Sequence, residues 1–228
     1  MYNQKTKKFR TFGRAKGKAL SPAQTELMET MFPKFDIGPA IAVGDNPLAG
    51  ISGQVWLEIG FGAAEHLLWQ AKQNLDVTII GVEPFLNGVA KAVRGVDVAG
   101  LTNLRLHRGD ARDLLALLPD SSLERVFILF PDPWHKTRHH KRRLINTELI
   151  EELHRVIHPN GILRFGSDIP HYVDWTLTRL YRHGGFEWPA DEQKLWRERP
   201  KDWPSTRYLE KALREGRQGH FFEFIRKP

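Results

Sequence analysis

The chain of 228 residues contains no cysteine. This absence excludes disulfide bonds, thiolate metal ligands and cysteine nucleophiles. No apolar run approaches the roughly 18 residues that a membrane-spanning helix requires, and no apolar stretch of a secretory signal follows the basic N-terminus. We therefore expect a soluble, cytoplasmic protein without a membrane partner.

Acidic residues are absent from the first 18 positions, which hold seven lysines or arginines. A second cluster, here called the basic segment (residues 135–143), contains five lysines or arginines and three histidines, and the whole chain carries a formal net charge of +7. Clustered positive charge favours a polyanionic partner such as nucleic acid. We expect residues 1–18 to form a flexible basic arm and residues 19–228 to form a single domain.

Short β-branched runs alternate with helical patterns between residues 54 and 185. Strands are predicted at 55–59, 77–82, 104–107, 126–130 and 162–165, and the clearest helices at 22–32, 112–118, 144–157 and 172–181. Residues 186–219 are predicted to form an irregular, substrate-binding segment, and 220–225 to form a last strand. This alternation predicts an α/β fold, a doubly wound, mostly parallel Rossmann-like sheet with helices on both faces.

Each of the five predicted strands of the alternating region ends at or just before an acidic residue. The five acids are Glu58, Glu83, Asp110, Asp132 and Asp168. Ligands of open α/β sheets bind beyond the carboxyl ends of the strands. So many carboxylates in one crevice are costly unless a ligand brings hydroxyls, amines or positive charge. The sequence therefore predicts a ligand of that kind.

The turn after the first strand narrows the choice of cofactor. Gly60 and Gly62 allow a ligand to approach the backbone closely, and Glu83, one βαβ unit later, suits ribose hydroxyls. The third glycine of a dinucleotide turn is missing, because Glu65 occupies that place and would repel a pyrophosphate. This pattern argues against NAD or FAD and favours S-adenosylmethionine, although the two glycines alone could merely close a tight turn.

The most specific stretch is residues 130–136, Phe-Pro-Asp-Pro-Trp-His-Lys, which runs into the basic residues 138–143. Together with the strand-end acids, the glycine turn and Thr-Arg-Tyr at 206–208, it resembles the tRNA (guanine-N7-)-methyltransferase family, which belongs to the class I S-adenosylmethionine-dependent methyltransferases. The resemblance runs from about residue 10 to the end of the chain. It implies methyl transfer from S-adenosylmethionine to N7 of guanosine 46 in the variable loop of tRNA.

The resemblance also implies a role for each motif residue. The implied cofactor site comprises Glu58, Gly60, Glu83, Asp110 and Asp132, of which Asp132 is also the catalytic residue. The implied substrate site comprises Lys136, Asp168, Thr206, Arg207, Tyr208, Leu209 and Glu210. The implied RNA contacts are Arg138, His139, His140, Lys141, Arg142 and Arg143. The closing motif, residues 206–210, departs from the family pattern because Leu209 stands where a glutamate is usual. Which of Leu209 and Glu210 faces the pocket stays open.

The chemistry of N7 methylation requires no general base, because N7 of guanine carries no proton. Positioning and electrostatics must then supply the catalysis. Asp132, rigidly flanked by Pro131 and Pro133, would stabilise the positive charge that forms on the ring or orient the amino group of the cofactor. Asp168 and Glu210 suit the guanine's N–H donors, and Trp134 or Tyr208 suits stacking of an exposed base.

Other interpretations of the residues remain open. The chain could methylate another RNA or a protein, it could be a catalytically idle RNA-binding module, or it could be a nicotinamide-dependent oxidoreductase, which Glu65 and the missing glycine oppose. The three histidines of the basic segment lack a partner at metal-ligand spacing, so no metal is expected. Both a monomer and a homodimer are compatible with the sequence.

Overall fold

A seven-stranded sheet lies at the centre of the computed structural model, which describes residues 13, 15 and 17–228. Its strands are β1 (Val55–Ile59), β2 (Thr78–Val82), β3 (Leu104–His107), β4 (Leu123–Leu129), β5 (Ile157–Ser167), β6 (Phe186–Glu187) and β7 (His220–Arg226). The strand order is β3-β2-β1-β4-β5-β7-β6. The first five strands are parallel, and β7 pairs antiparallel with both β5 and β6. The predicted α/β, mostly parallel sheet is confirmed.

The helices alternate with the strands as the sequence predicts. They are α1 (Pro22–Thr30), α2 (Gly38–Val43), α3 (Glu65–Gln73), α4 (Leu86–Ala99), α5 (Ala111–Leu115), α6 (Thr147–Val156), α7 (Pro170–His183), α8 (Glu192–Leu195) and α9 (Arg207–Arg214), with 3-10 helices at Phe32–Lys34 and Thr137–Arg142. Side-chain caps explain several starts, since Ser21, Asn146 and Thr206 each accept a bond from a first-turn N–H. Gly100 and Gly184 end α4 and α7 in the left-handed conformation.

Apolar cores lie on both faces of the sheet. On one face, Leu57 and Ile128 pack with residues of α5, α6 and α7. On the other face, Ile79 and Phe127 pack with residues of α3 and α4. The strands read as continuous apolar runs because a parallel sheet covered on both faces buries every residue of its central strands.

Two parts of the predicted secondary structure are wrong. The helix predicted at 144–157 ends at Val156, and β5 begins at the next residue. Ile157 pairs with Leu123 of β4, and after a register shift the next pair is Ile162 with Arg125. Residues 159–161 therefore lie within β5, at an irregularity in its pairing with β4, rather than in a loop. The segment predicted to be irregular, 186–219, contains β6, α8 and α9, whose short lengths give little periodic signal.

The predicted basic arm, residues 1–18, lies mostly outside the described residues. Its described part contacts the start of α4, where the amide of Leu86 donates to the carbonyl of Ala15 at 3.1 Å. The side chain of Asn87 donates to the carbonyl of Lys18 at 2.8 Å. Among the helices of the described chain, none has the length and apolar character to cross a membrane.

We predict that Gly88→Ala destabilises the protein more than Gly95→Ala in the same helix. A Cβ at Gly88 would lie 2.2 Å from the carbonyl oxygen of Gly62, which is backbone, whereas at Gly95 it would meet the movable end of Leu68. Overpacking costs about 1–3 kcal/mol, and the helix-propensity gain of about 1 kcal/mol applies to both changes. Denaturant unfolding of the two variants measures the difference; equal stabilities would contradict the close approach of α4 to the glycine turn.

Candidate active site

A cleft of about 330 Å³ opens at the carboxyl ends of β1 to β4. β1 lies between β2 and β4, so the chain continues from β1 to one side of the sheet and from β3 to the other. Open α/β sheets bind ligands at such a switch point in strand order. Four of the five strand-end acids line the cleft, namely Glu58, Glu83, Asp110 and Asp132. The fold thus brings together the acids that the sequence predicts for cofactor binding.

Glu83 closes the glycine turn from the neighbouring strand. Its carboxylate accepts a hydrogen bond from the amide of Gly62 at 2.8 Å and one from the amide of Phe85 at 2.9 Å. Each oxygen keeps a second acceptor site for a ligand hydroxyl. Burial raises the pKa of Glu83, against the two backbone hydrogen bonds, and the charges of Asp132 and Glu58 raise this pKa further. The three carboxylates therefore act on each other within one cleft.

Glu58 is buried and held by a chain of polar side chains. Its Oε2 lies 2.8 Å from Nδ1 of His66, and Nε2 of His66 lies 3.1 Å from Nε2 of Gln70. The amide of Gln70 also donates to the carbonyl of Asp202 at 2.8 Å. An amide donor on one ring nitrogen assigns the proton of His66 to the other, where it is donated to Glu58. This series of hydrogen bonds links Glu58, on the wall of the cleft, to the backbone of Asp202.

Asp110 caps α5 and is paired with its neighbour. Its Oδ1 accepts from the amide of Arg112 at 3.0 Å and from Nε of the same residue at 2.8 Å. The hydrogen bonds that the Arg112 guanidinium donates to Asp110 raise the pKa of Arg112, against the effect of burial. Asp110 is therefore aimed by a cation that sequence inspection did not single out.

Asp132 projects from a strained turn between β4 and the basic segment. Phe130 and Trp134, on either side of the Pro-Asp-Pro sequence, have φ values of 50° and 44°. Positive φ is unfavourable for bulky side chains, and such strain occurs mainly where the surrounding structure enforces it. Although the side chain of Asp132 is exposed, desolvation by the surrounding cleft walls raises its pKa. The backbone of Gly13 also passes close by, since a Cβ there would lie 3.9 Å from Oδ2 of Asp132.

The basic segment divides into an exposed part and a buried part. Lys136, Arg138 and Lys141 are exposed, and Arg142 stacks its guanidinium 5.1 Å from the ring of Trp134. Trp134 also meets His139 edge-on at 5.9 Å, so its ring packs against the basic segment. The two lysines and two arginines just named are at least partly exposed, and their RNA contacts stay a prediction.

Arg143, one of the predicted RNA contacts, differs from the exposed members of the basic segment. Arg143 is only 3% exposed, and its Nε donates to the carbonyl of Pro133 at 2.9 Å. His140 is half-buried and packs against His171 and Trp175. A run of like charges does not show which members point inward, because the short 3-10 helix turns them to different sides.

The closing motif supplies one aromatic side chain to the mouth of the cleft. Tyr208, 59% exposed, lines the cleft with Thr206, and a Cβ at Gly62 would lie 3.6 Å from the Tyr208 ring. Leu209, predicted as a substrate contact, is 4% exposed and packs with Trp203 and Phe221. Glu210 is exposed, and one of its oxygens lies 3.4 Å from the hydroxyl of Ser205.

Two further ion pairs alter what the sequence indicated. Nε of Arg207 lies 2.8 Å from Glu65, so the acid at the start of α3 is partly compensated and repels a phosphate less than its position suggested. Asp168 lies outside the cleft wall as the described residues form it, and its Oδ2 accepts from Nε of Arg217 at 2.6 Å. The hydrogen bond that Arg217 donates to Asp168 raises the pKa of Arg217.

The sequence predictions missed His66, Arg112 and Arg217, which hold Glu58, Asp110 and Asp168. Arg112 lies two residues after its partner, which is a detectable signal. His66 lies eight residues after Glu58, and Arg217 lies 49 residues after Asp168. Only the fold brings these two pairs together.

Comparison with solved structures defines the class of the fold. The 16S rRNA methyltransferase KamB superposes with a TM-score of 0.51 and 16% identity, covering 94% of this chain and 99% of that one. The [4+2]-cyclase SpnF also superposes with a TM-score of 0.51, at 17% identity, covering 83% and 79%. The fold is that of the class I methyltransferases, but a cyclase shares it, so the fold alone does not decide the reaction.

Sequence comparison defines the family. Residues 52–222 match a family described as "Putative methyltransferase". The tRNA (guanine-N(7)-)-methyltransferase of Ruegeria sp. (strain TM1040) is 46% identical over 95% of this chain and 87% of its own length, and that of Rhodospirillum rubrum is 41% identical over 100% and 92%. The chain belongs to the tRNA (guanine-N(7)-)-methyltransferase family. This membership makes S-adenosylmethionine the cofactor, as the strand-end acids predicted.

The acceptor groups of the cleft fit that cofactor. Glu83 retains acceptor sites for hydroxyls. Burial raises its pKa and the charges of Asp132 and Glu58 raise it further, so the cleft favours a cationic ligand. The volume of about 330 Å³ lies within the usual range of about 300–1,000 Å³ for small-molecule sites.

We predict that affinity for S-adenosylmethionine falls as the pH is lowered from about 7 into the acidic range in which carboxyl groups take up protons. The pKa values of Glu83 and Asp132 are raised, so these acids take up protons at a higher pH than ordinary carboxyls and lose the charge that attracts a cation. Isothermal titration over this pH range measures the effect. Asp132→Asn should flatten the profile, whereas Asp45→Asn, exposed and outside the cleft wall, should leave it unchanged. Affinity independent of pH would contradict the shared negative field.

Proposed function

We propose that this protein transfers a methyl group from S-adenosylmethionine to N7 of guanosine 46 in the variable loop of tRNA. The observation that carries the proposal is the position of Asp132, which lies in the acidic cleft and is followed within four residues by the basic segment. A cofactor site and a polyanion-binding surface thus meet at one carboxylate. Membership of the family supports the choice of tRNA guanine.

The cofactor would be held by Glu83, Glu58, Asp110 and the glycine turn at Gly60. S-adenosylmethionine supplies a methyl group that its sulfonium makes electrophilic. Glu83, fixed by two backbone donors, suits the ribose hydroxyls. Glu58, fixed by His66, suits a cationic amine. Preorganised donors and acceptors of this kind lower the reorganisation that the reaction requires.

Asp132 is proposed as the catalytic residue in an electrostatic role. Guanine N7 has no proton to lose, so the carboxylate does not act as a base. Alkylation leaves positive charge on the imidazole ring, and a fixed carboxylate nearby stabilises that charge in the transition state. The two prolines and the two positive φ values on either side hold Asp132 in one direction, as this role requires.

Recognition of the guanine is proposed for the closing motif. Tyr208 is exposed at the cleft mouth and offers a ring on which an extruded base would stack. Thr206 lines the same wall, and exposed Glu210 is a candidate acceptor for the N–H groups of the base. The pair with Arg217 favours a different role for Asp168, that of anchoring the loop between α9 and β7.

The RNA backbone is proposed to follow the exposed part of the basic segment. Lys136, Arg138 and Lys141 lie at the surface, and Arg142 lines the cleft, so positive charge leads from solvent to the reacting centre. Phosphate contacts of this kind supply affinity that depends on salt. We further propose that residues 19–228 form one catalytic domain in the cytoplasm and that residues 1–18 add phosphate contacts.

Methylation of unmodified tRNA with labelled cofactor, followed by nucleoside analysis, tests the proposed function. We expect 7-methylguanosine from tRNA that carries the variable-loop guanosine and none from a control tRNA that lacks it. Label in another nucleoside, or in protein, would indicate a methyltransferase with a different substrate. Absence of label together with retained tRNA binding would indicate an idle RNA-binding module.

We predict that Asp132→Ala and Asp132→Asn each lower kcat at least about 100-fold while tRNA binding persists. Removal of one preorganised electrostatic group costs about 10²–10³ in kcat, and Asn keeps the shape while losing the charge. Single-turnover methylation and a tRNA binding assay separate the two effects. Near-normal turnover in either variant would contradict the catalytic role.

We predict that Arg138→Ala combined with Lys141→Ala weakens tRNA binding and lowers the slope of log affinity against log salt by about 2. Both side chains are exposed on the basic segment, so each would neutralise about one phosphate. The matched control is Lys91→Ala with Arg94→Ala, an equally exposed pair of cations on α4. Equal slopes in the two double variants would show that the basic segment is not the RNA path.

A further inference from the structure

Arg143 is a buried cation at the base of the Asp132 turn. It lines the cleft and is 3% exposed, yet no carboxylate among the described residues lies within ion-pair distance of it. Burial of an unpaired charge is costly and is retained only where other groups compensate for it. The surroundings of Arg143 must therefore explain why a guanidinium occupies this position.

Two aromatic rings and two hydrogen bonds surround this guanidinium. Its Cζ lies 4.9 Å from the ring centroid of Tyr172 and 4.6 Å from that of Trp175. Its Nη2 lies 3.0 Å from Nδ1 of His171, and its Nε donates to the carbonyl of Pro133 at 2.9 Å. Nη1 is buried with no hydrogen-bond partner among the described residues. Planar stacking and a rigid fork of donors distinguish arginine from lysine in such a site.

The hydrogen bond from Nε of Arg143 is accepted by the carbonyl of Pro133, the residue that follows Asp132. Pro131 and Pro133 have no amide hydrogen, so the turn has few donors with which to hold itself. On its first side the turn is fixed by the amide of Phe130, which donates to the carbonyl of Gly166 at 2.7 Å. On its second side Arg143 holds the carbonyl of Pro133. Asp132 lies between these two attachments.

Backbone strain makes the second attachment necessary. Phe130 and Trp134 hold positive φ values, which cost about 1–3 kcal/mol each and persist only under constraint from the surrounding structure. Loss of the hydrogen bond to the Pro133 carbonyl would allow the turn to relax, and the side chain of Asp132 would then point in a different direction. A displacement of about 1 Å at a reacting centre lowers rates about 100-fold.

We propose that Arg143 is a positioning residue: through the carbonyl of Pro133 it fixes the direction in which Asp132 faces the cleft, and it does not contact RNA. The inference rests on the proposed function, since it assigns Arg143 to the presentation of the proposed catalytic carboxylate. It also separates Arg143 from its neighbours Arg138 and Lys141, which have the same charge but are exposed.

The variants Arg143→Met and Arg143→Lys test this assignment in the full-length protein. We expect both to lower kcat about tenfold to 100-fold, with tRNA affinity and its salt slope unchanged. Arg138→Met is the contrasting variant and should weaken tRNA binding and lower the slope by about 1. A slope lowered by about 1 in Arg143→Met would overturn the proposal in favour of a phosphate contact. Wild-type kcat in Arg143→Lys would overturn it in favour of a simple charge effect.

His171→Ala keeps the test decisive if substitution of the buried arginine unfolds the protein, which thermal melting would reveal. His171 is exposed at the start of α7, so its removal spares the core while it withdraws the partner of Nη2. We expect kcat to fall about threefold to tenfold, the effect of about one hydrogen bond, with an unchanged salt slope. An unaltered kcat in this variant would overturn the proposal. Absence of 7-methylguanosine with the wild-type protein would instead refute the proposed function.

Discussion

The site depends on the parallel alignment of β1 to β4, which brings the carboxyl ends of four strands to one edge of the sheet. Each of these strands carries an acid in its last residues or is followed by one within three residues, so four carboxylates share a cleft. Burial raises the pKa of Glu83, the charges of Asp132 and Glu58 raise it further, and a cationic cofactor would relieve this negative field. The antiparallel strand β7 lies beyond β5, and its Phe221 packs with Leu209 of α9 rather than lining the cleft.

The protein holds each carboxylate by a different device. Backbone amides hold Glu83, a histidine holds Glu58, and a neighbouring arginine holds Asp110. Asp132 has no comparable side-chain partner in the described structure, and the strained turn aims it instead. This difference suits a group whose charge has to remain available to the substrate, because an ion pair would neutralise it.

Much of the fold was predictable from the sequence because apolar periodicity and strand-end acids are local signals. The strands of the parallel sheet, the glycine turn and the place of Asp132 follow from runs of a few residues. The start of β5 was not predictable, since Ile157 joins the ladder through a register shift with β4 that depends on a distant strand. Helix α9 was missed because an exposed, highly charged helix of eight residues has only two buried positions, Leu209 and Ala212.

By itself, the sequence determined the fold class, the convergence of acids at one edge and the resemblance to N7-guanine methyltransferases. These properties reside in residue order and spacing, which survive in the chain before it folds. Only the tertiary structure decided which charges are available. It buried Arg143 beneath the Asp132 turn, paired Asp168 with Arg217, and turned Leu209 into the core. The reason is physical: whether a charged side chain meets solvent or a partner depends on segments far away in sequence, and burial decides its function.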